Sequence, residues 1–316
     1  TALTVNGREI LYKLMQNIRD QGGAVLFISH DIEEIMKICD SLTILRDGVL
    51  TAELSKDEFE EEKIKQLMIG REMSAHYYRE DEKENYQEEA ALETKNLCCQ
   101  SLKDINVVLH KGEILGVGGL SDCGMHDLGK AMFGLLKPDQ GQVLMNGANK
   151  VKSARWSVEH GIAYLSKNRD REALMTICSI KDNICLPSLK NLAKGGIISR
   201  GSEKKLAQKW SGEMEVKTES VEKFCNTLSG GNKQKVVLAK WMGKGSEIMI
   251  LDCPTRGIDI GTKASIYQLI EKLKSEGKSI LLISEELPEL IGMSDRIIIL
   301  KDGRLSGEFL RSEGLT

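Results

Sequence analysis

Leu228-Ser229-Gly230-Gly231-Asn232-Lys233-Gln234-Lys235, with Ile248-Met249-Ile250-Leu251-Asp252 and Pro254-Thr255-Arg256-Gly257-Ile258-Asp259 downstream, is the stretch that decides the fold. Ser229 is placed to cap a helix opening at Gly230, and the paired glycines let backbone N–H groups approach a phosphate closely. A Ser-Gly-Gly loop alone could be an ordinary turn. The helix and the acid-ended strand that follow it favour a functional reading. Residues 248–251 form a short, wholly apolar run, the pattern of a strand buried in a parallel sheet. The run ends in Asp252, and a carboxylate there can hold Mg²⁺, directly or through water, beside a nucleotide.

A strand, a Gly-rich loop and a helix are expected near 113–134, and a strand, a loop and a helix near 247–274. This alternation implies an α/β layered core with a largely parallel sheet. Residues 175–225 lack strand pattern and read as a helical insert. A repeat extends the reading further. AVLFISHDIEEIMKICDSLTILRDGVLTAEL at 24–54 aligns without a gap with SILLISEELPELIGMSDRIIILKDGRLSGEF at 279–309, at an offset of 255. The second copy begins near Glu93, so roughly 160 residues of the first copy are expected upstream of Thr1. Residues 1–78 thus read as the last part of a first domain, 79–92 as an acidic linker (a solvated helix is the alternative) and 93–316 as a second domain. Within the first part, the spacing predicts a helix over 5–21, ended by Gly22-Gly23. An apolar strand is expected at 24–29, a helix over 30–39, a hairpin at Arg46-Asp47-Gly48 and an amphipathic helix over 57–68.

The 316-residue chain is long enough for about two domains. Its net charge of −3 gives no broad electrostatic footprint for nucleic acid. The eight cysteines are scattered, with no C-x-x-C pair, and read as reduced, buried thiols rather than a disulfide framework or a zinc site. No apolar run is long enough to cross a bilayer and the first residues lack a signal-peptide pattern, so a membrane role is expected to come through a partner.

LSGGNKQKV, ILDCPTRGIDIGTK and ISEELPELIGMSDRIIIL together resemble the second nucleotide-binding domain of ribose/galactose-type ABC sugar-importer ATPases. LMIGRE at 67–72 is similar to the end of the first domain in that family, and KGEILGVGGL at 111–120 to the approach to the second phosphate loop. The resemblance implies a P-loop ABC-type α/β fold with a parallel sheet core, an antiparallel β portion and a helical insert. It implies ATP and Mg²⁺ as cofactors. The partners would be membrane-spanning permease subunits and, through them, a periplasmic sugar-binding protein, with the subunit peripheral on the cytoplasmic face of the plasma membrane. It also implies composite sites, each phosphate loop facing the signature of the other domain. By that resemblance Gly119, Ser121, Gly124, Met125, His126, Ser229, Gly230, Gly231 and Gln234 are the nucleotide-binding positions. Asp252 is the metal-binding acid, and His30 would face a γ-phosphate as a catalytic residue of the first copy.

The departures from the family pattern carry mechanistic weight. A phosphate loop reads G-x-x-x-x-G-K-[ST], but Met125 and His126 follow Gly124 here, removing both the cation and the hydroxyl. A charged hydrogen bond contributes ~1.5–3 kcal/mol, so its loss is expected to weaken phosphate binding roughly ten- to a hundredfold. Lys130 lies too far along the helix to reach back. Cys253 replaces the acid that polarises water in relatives, Lys167 an acid or amide near the nucleotide, and Glu285 the switch position held by His30 in the first copy. No aromatic platform for adenine is evident near 97–102. These substitutions predict a second site that does not hydrolyse ATP. The competing readings are a non-hydrolytic product with only a structural role, and an ABC-like DNA-repair ATPase, against which the absence of long heptad runs speaks.

Overall fold

The computed structural model describes residues 5–29, 31–46, 48–69, 77–81, 83–120 and 122–314. By its contacts the chain divides into two units, one of residues 1–77 with 257–264 and one of residues 78–256 with 265–316.

The first unit contains α1 (Val5–Asp20), α2 (Ile32–Ile38), β1 (Ser41–Arg46), β2 (Val49–Ser55) and α3 (Glu61–Ile69). Asp31 caps α2, its Oδ1 accepting from the N–H of Glu34 at 3.2 Å. β1 and β2 form an antiparallel hairpin, and Ile32, Ile44, Leu54 and Ile64 close a small core around it. The helix expected over 57–68 is split: a 3₁₀ turn at Lys56–Glu58 precedes α3, with extended backbone at Phe59 between them.

The second unit opens with β3 (Gln87–Cys99), β4 (Leu102–Lys111) and β5 (Ile114–Gly119). Then come α4 (Met125–Phe133), β6 (Gln140–Met145), β7 (Asn149–Lys150), α5 (Ala154–Glu159) and β8 (Ile162–Leu165). A π-helical turn at Arg169–Ala173 leads into α6 (Ile180–Cys185), α7 (Leu189–Leu192) and α8 (Arg200–Glu213), the helical insert, and then into α9 (Gly230–Lys244). The chain finishes with β9 (Ile248–Asp252), α10 (Ile260–Ser275), β10 (Ser279–Ile283), α11 (Leu287–Met293), β11 (Arg296–Lys301) and β12 (Arg304–Leu310). The main sheet has the order β12-β11-β5-β10-β9-β8, parallel throughout except for β12. β9 and β10 are buried at every position, as their unbroken apolar runs require. A second, antiparallel sheet runs β4-β3-β6-β7. This is the α/β P-loop ABC-ATPase fold.

The repeat survives in three dimensions. α1, α2, β1 and β2 have the same bounds as α10, α11, β11 and β12 shifted by 255. Even the bulge between Ile44 and Leu45 recurs between Ile299 and Leu300.

One segment breaks the correspondence. Residues 24–29, expected as a strand, carry none. Their counterpart β10 exists because β5 and β9 flank it with hydrogen bonds. The described residues of the first unit offer 24–29 no such neighbours. Leu26 and Ile28 are therefore each 89% exposed, whereas Leu281 and Ile283 are fully buried.

The acidic stretch 79–92 also differs from a solvated linker. β3 already begins at Gln87, and the Arg79 guanidinium is buried, donating to Met293 O at 2.8 Å and Asp295 Oδ1 at 3.0 Å.

Candidate functional site

In open parallel sheets ligands bind beyond the carboxyl ends of the strands, and four strand ends converge here: β5, β8, β9 and β10. The loop from Gly119 to Gly124 joins β5 to α4. Gly124 sits at φ 99° as the N-cap of α4, a left-handed conformation that glycine adopts without strain. A Cβ at Gly119 would meet Leu300 O at 2.4 Å and Cys123 Sγ at 2.5 Å, so this glycine is needed for close packing. The Cys123 thiol is buried beneath the loop, and burial pushes its pKa up. Met125 follows Gly124 and packs into the core, 1% exposed. His126, in the first turn of α4, points across the strand ends.

From His126 a hydrogen-bonded chain crosses the site. His126 Nδ1 lies 2.7 Å from Asp252 Oδ1, and the Tyr164 hydroxyl donates to Asp252 Oδ2 at 2.9 Å. On its other side His126 Nε2 lies 3.1 Å from Lys167 Nζ, which donates to Glu285 Oε1 at 2.6 Å. The ammonium can only donate, so Nε2 accepts and Nδ1 carries the proton toward Asp252. Burial opposes the charge on Glu285. The hydrogen bond and charge of Lys167 outweigh that, and its pKa is lowered. Cys253, buried at the left-handed φ of 50°, has its thiol pKa pushed up by burial and by Asp252. Burial and the same carboxylate raise that of Tyr164.

The Ser-Gly-Gly turn is built on a different element. Ser229 is exposed and caps the fifteen-residue helix α9, its Oγ accepting from Asn232 N at 3.4 Å and from Asn232 Nδ2 at 3.0 Å. Gly230 is half-buried, and Gly231 and Gln234 are buried. The segment after β8 reaches α9 three times. Arg169 Nη1 donates to Gln234 Oε1 at 3.3 Å, Lys233 pairs with Asp170 at 2.9 Å, and Lys240 Nζ donates to Ala173 O at 2.6 Å.

Residues 102–256 match the family model described as ABC transporter. The chain is 39% identical over 316 residues to the ribose import ATP-binding protein RbsA of Clostridium perfringens strain SM101, covering 99% of this chain and 62% of that protein. The chain is thus similar to ABC transporter ATP-binding proteins. It is also 37% identical to the xylose import ATP-binding protein XylG of Thermoanaerobacter pseudethanolicus, covering 98% of this chain and 63% of that protein. The chain thus spans a little over three fifths of the length of these curated relatives. The structure superposes on the dimeric, ADP- and phosphate-bound ABC cassette MJ0796 with a TM-score of 0.62 at 23% identity, over 70% of this chain and 98% of that one. On CbiO1 of Clostridium perfringens the TM-score is 0.60 at 20% identity, over 72% and 90% of the two chains. These two likenesses bear on the fold alone.

Likeness to ABC transporter ATP-binding proteins implies ATP and Mg²⁺, but the residues at this site do not fit Mg²⁺. An imidazole stands where the family loop has a hydroxyl, and both oxygens of Asp252 are engaged by His126 and Tyr164. Mg²⁺ requires near-octahedral oxygen coordination, which imidazole and thiol donors do not supply. Of the expected site residues, His126, Lys167, Asp252, Cys253 and Glu285 come together, Gly119 and Gly124 shape the adjoining loop, and Ser229–Gly231 with Gln234 lie on α9. His30, Ser121, the initial Thr1–Thr4 and the end of the LMIGRE motif lie outside the described residues. Tyr164 is the participant that motif reading missed. Its only signal was a hydroxyl-bearing aromatic near the end of the apolar run 162–165. Among the described residues no helix is long and apolar enough to cross a membrane.

Proposed function

We propose that this chain forms part of the ATP-binding component of an ABC importer that takes up a monosaccharide, and that its own phosphate-loop site is not hydrolytic. The observation that carries this reading is the chain Asp252–His126–Lys167–Glu285, in which protein groups engage one another at the four strand ends where the family's loop offers a cation and a hydroxyl. In this reading Ser229, Gly230 and Gly231 serve in trans, at the N-terminus of α9, a phosphate loop carried by another nucleotide-binding domain. His30, at the end of the repeat segment 24–29, would face the γ-phosphate there. Residues 1–78 are read as the last part of that first domain, supported by elements and a register that repeat those of 260–310 at an offset of 255. Permease subunits in the membrane and a periplasmic sugar-binding protein would be its partners, with the subunit on the cytoplasmic face.

Cys253 supports the non-hydrolytic assignment independently. A buried, protonated thiol cannot orient an attacking water as a carboxylate base does. The test is phosphate release by the purified chain with Mg-ATP. Background rates are expected, and turnover on the order of 1 s⁻¹, ordinary for enzymes, would overturn the assignment.

A further inference from the structure

The residues that fail to suit Mg²⁺ make up a donor set of another kind. His126, Asp252 and Cys253 each offer a ligand atom, and these atoms lie within 4.8 Å of one another. We propose that His126 Nδ1, Asp252 Oδ1 and Cys253 Sγ form a binding site for a zinc-class divalent cation at the carboxyl ends of β5 and β9. Nitrogen, oxygen and sulfur donors together select zinc-like ions over magnesium. A tetrahedral ion places its ligand atoms roughly 3–4 Å apart, a spacing that small side-chain shifts supply here.

The surroundings resemble the outer shell of a metal centre. Tyr164 fixes Asp252 through Oδ2 at 2.9 Å, and Oδ1, held by His126 Nδ1 at 2.7 Å, turns to the ion once Nδ1 gives up its proton. Glu285 Oε1 lies 3.7 Å from His126 Nε2, where a carboxylate behind a metal-bound imidazole belongs. The proton balance is simple. On binding, His126 releases Nδ1 to the ion and carries its proton on Nε2, donating to Glu285, while Lys167 gives up its bond to Nε2 and keeps the one to Glu285. Cys253 loses its proton to solvent, so one proton leaves per ion bound. The divalent charge is then cancelled by one thiolate and one carboxylate, which suits a buried position. The His126 side chain, 25% exposed, gives the ion a way in and leaves the fourth position to water. None of this depends on the importer assignment.

The test uses the full chain, reduced, metal-stripped and titrated with Co²⁺. Expected are ligand-field bands of tetrahedral cobalt with a thiolate-to-cobalt charge-transfer band, abolished by Zn²⁺ and untouched by millimolar Mg²⁺. Cys253→Ser should remove the charge-transfer band while leaving metal-free melting unchanged. His126→Gln, at a part-exposed position, should weaken Co²⁺ binding at least about tenfold and serves if the first variant fails to fold. Absence of the bands, or bands that persist in both variants, would overturn the proposal.

Discussion

Lys167 Nζ stands 2.6 Å from Glu285 Oε1, joining two positions 118 residues apart in the chain. Taken singly, each replaces a group that serves the nucleotide in the family's pattern. Together they cancel: the charge that would repel a phosphate is held by an ammonium from the neighbouring loop. The pair is partly exposed, the side chains being 22% and 41% accessible, so its energy is modest.

Glu285→Gln is therefore expected to destabilise the protein by no more than about 1 kcal/mol at neutral pH. The folded-state pKa of Glu285 lies below its ordinary 4.5. The contribution is then present above about pH 4.5 and is lost as pH falls through the folded-state value. Melting temperatures of wild type and variant should converge on acidification. A gap that widens below pH ~4.5 would contradict the pairing.

Asp295 gives a larger effect. It is fully buried and accepts from Arg79 Nη2 at 3.0 Å, Lys274 Nζ at 2.6 Å and Ile114 N at 2.7 Å. Asp295→Ala takes the shared carboxylate from two cations and the Ile114 N–H, leaving Arg79 with Asp81 and Lys274 with two carbonyls, and should cost about 3 kcal/mol in denaturant unfolding. A loss under ~1 kcal/mol would mean that this cluster does not hold residues 79–85 in place.

These two clusters show what the sequence could and could not reveal. The strand–loop–helix units around β5 and β9 were legible because apolar runs and turn glycines encode them locally. The same apolar signal misled at 24–29, since a strand exists only beside its neighbours, and β10 has two where 24–29 has none among the described residues. Arg79 was hidden for a related reason, its partner Asp295 lying 216 positions away within an otherwise unremarkable SDR run. At the site, the substituted positions were each visible against the family's motifs. Their mutual pairing was not, because it arises only when four strand ends are brought together.

The unpaired run 24–29 makes a direct prediction. Val25, Leu26 and Ile28 are exposed, Phe27 is half-buried and the backbone is in no strand, so a protease reaches this run readily. Brief chymotrypsin treatment should cut at Leu26 or Phe27 before any site in 87–314. The equivalent bonds at 281–282, inside β10, should survive. Cleavage in the second unit first would show that 24–29 is protected.

Lys240 offers a pH signature. It is buried on α9, donates to Ala173 O at 2.6 Å, and burial pushes its pKa down from 10.5 to about 8. Between about pH 8 and 10.5 the unfolded chain holds a proton that the folded chain has released, so this residue's contribution to stability rises with pH over that window. Lys240→Met removes the linkage. Wild type should gain stability relative to the variant from pH ~8 upward, read as the difference in melting temperature. A constant difference would mean that Lys240 stays charged.

Ser229 is exposed at the N-terminus of α9, where three successive residues can present N–H groups to a phosphate. Ser229→Arg fills the space such a phosphate needs and removes a helix cap worth ~1 kcal/mol. Ser229→Ala removes the cap alone and controls for it. On the proposed importer reading, in an ATP-binding subunit containing this chain and assembled with permease subunits, Ser229→Arg should lower ATPase turnover about a hundredfold or more, and Ser229→Ala far less. Met125→Lys restores the family cation in sequence only. Met125 is 1% exposed, so the new ammonium enters the core and destabilises the fold, while Cys253 still provides no base. That variant should melt earlier and hydrolyse no faster than wild type. Should Ser229→Arg leave turnover intact while Met125→Lys raises it, hydrolysis belongs to the phosphate loop at 119–126, and the signature on α9 is not its trans partner.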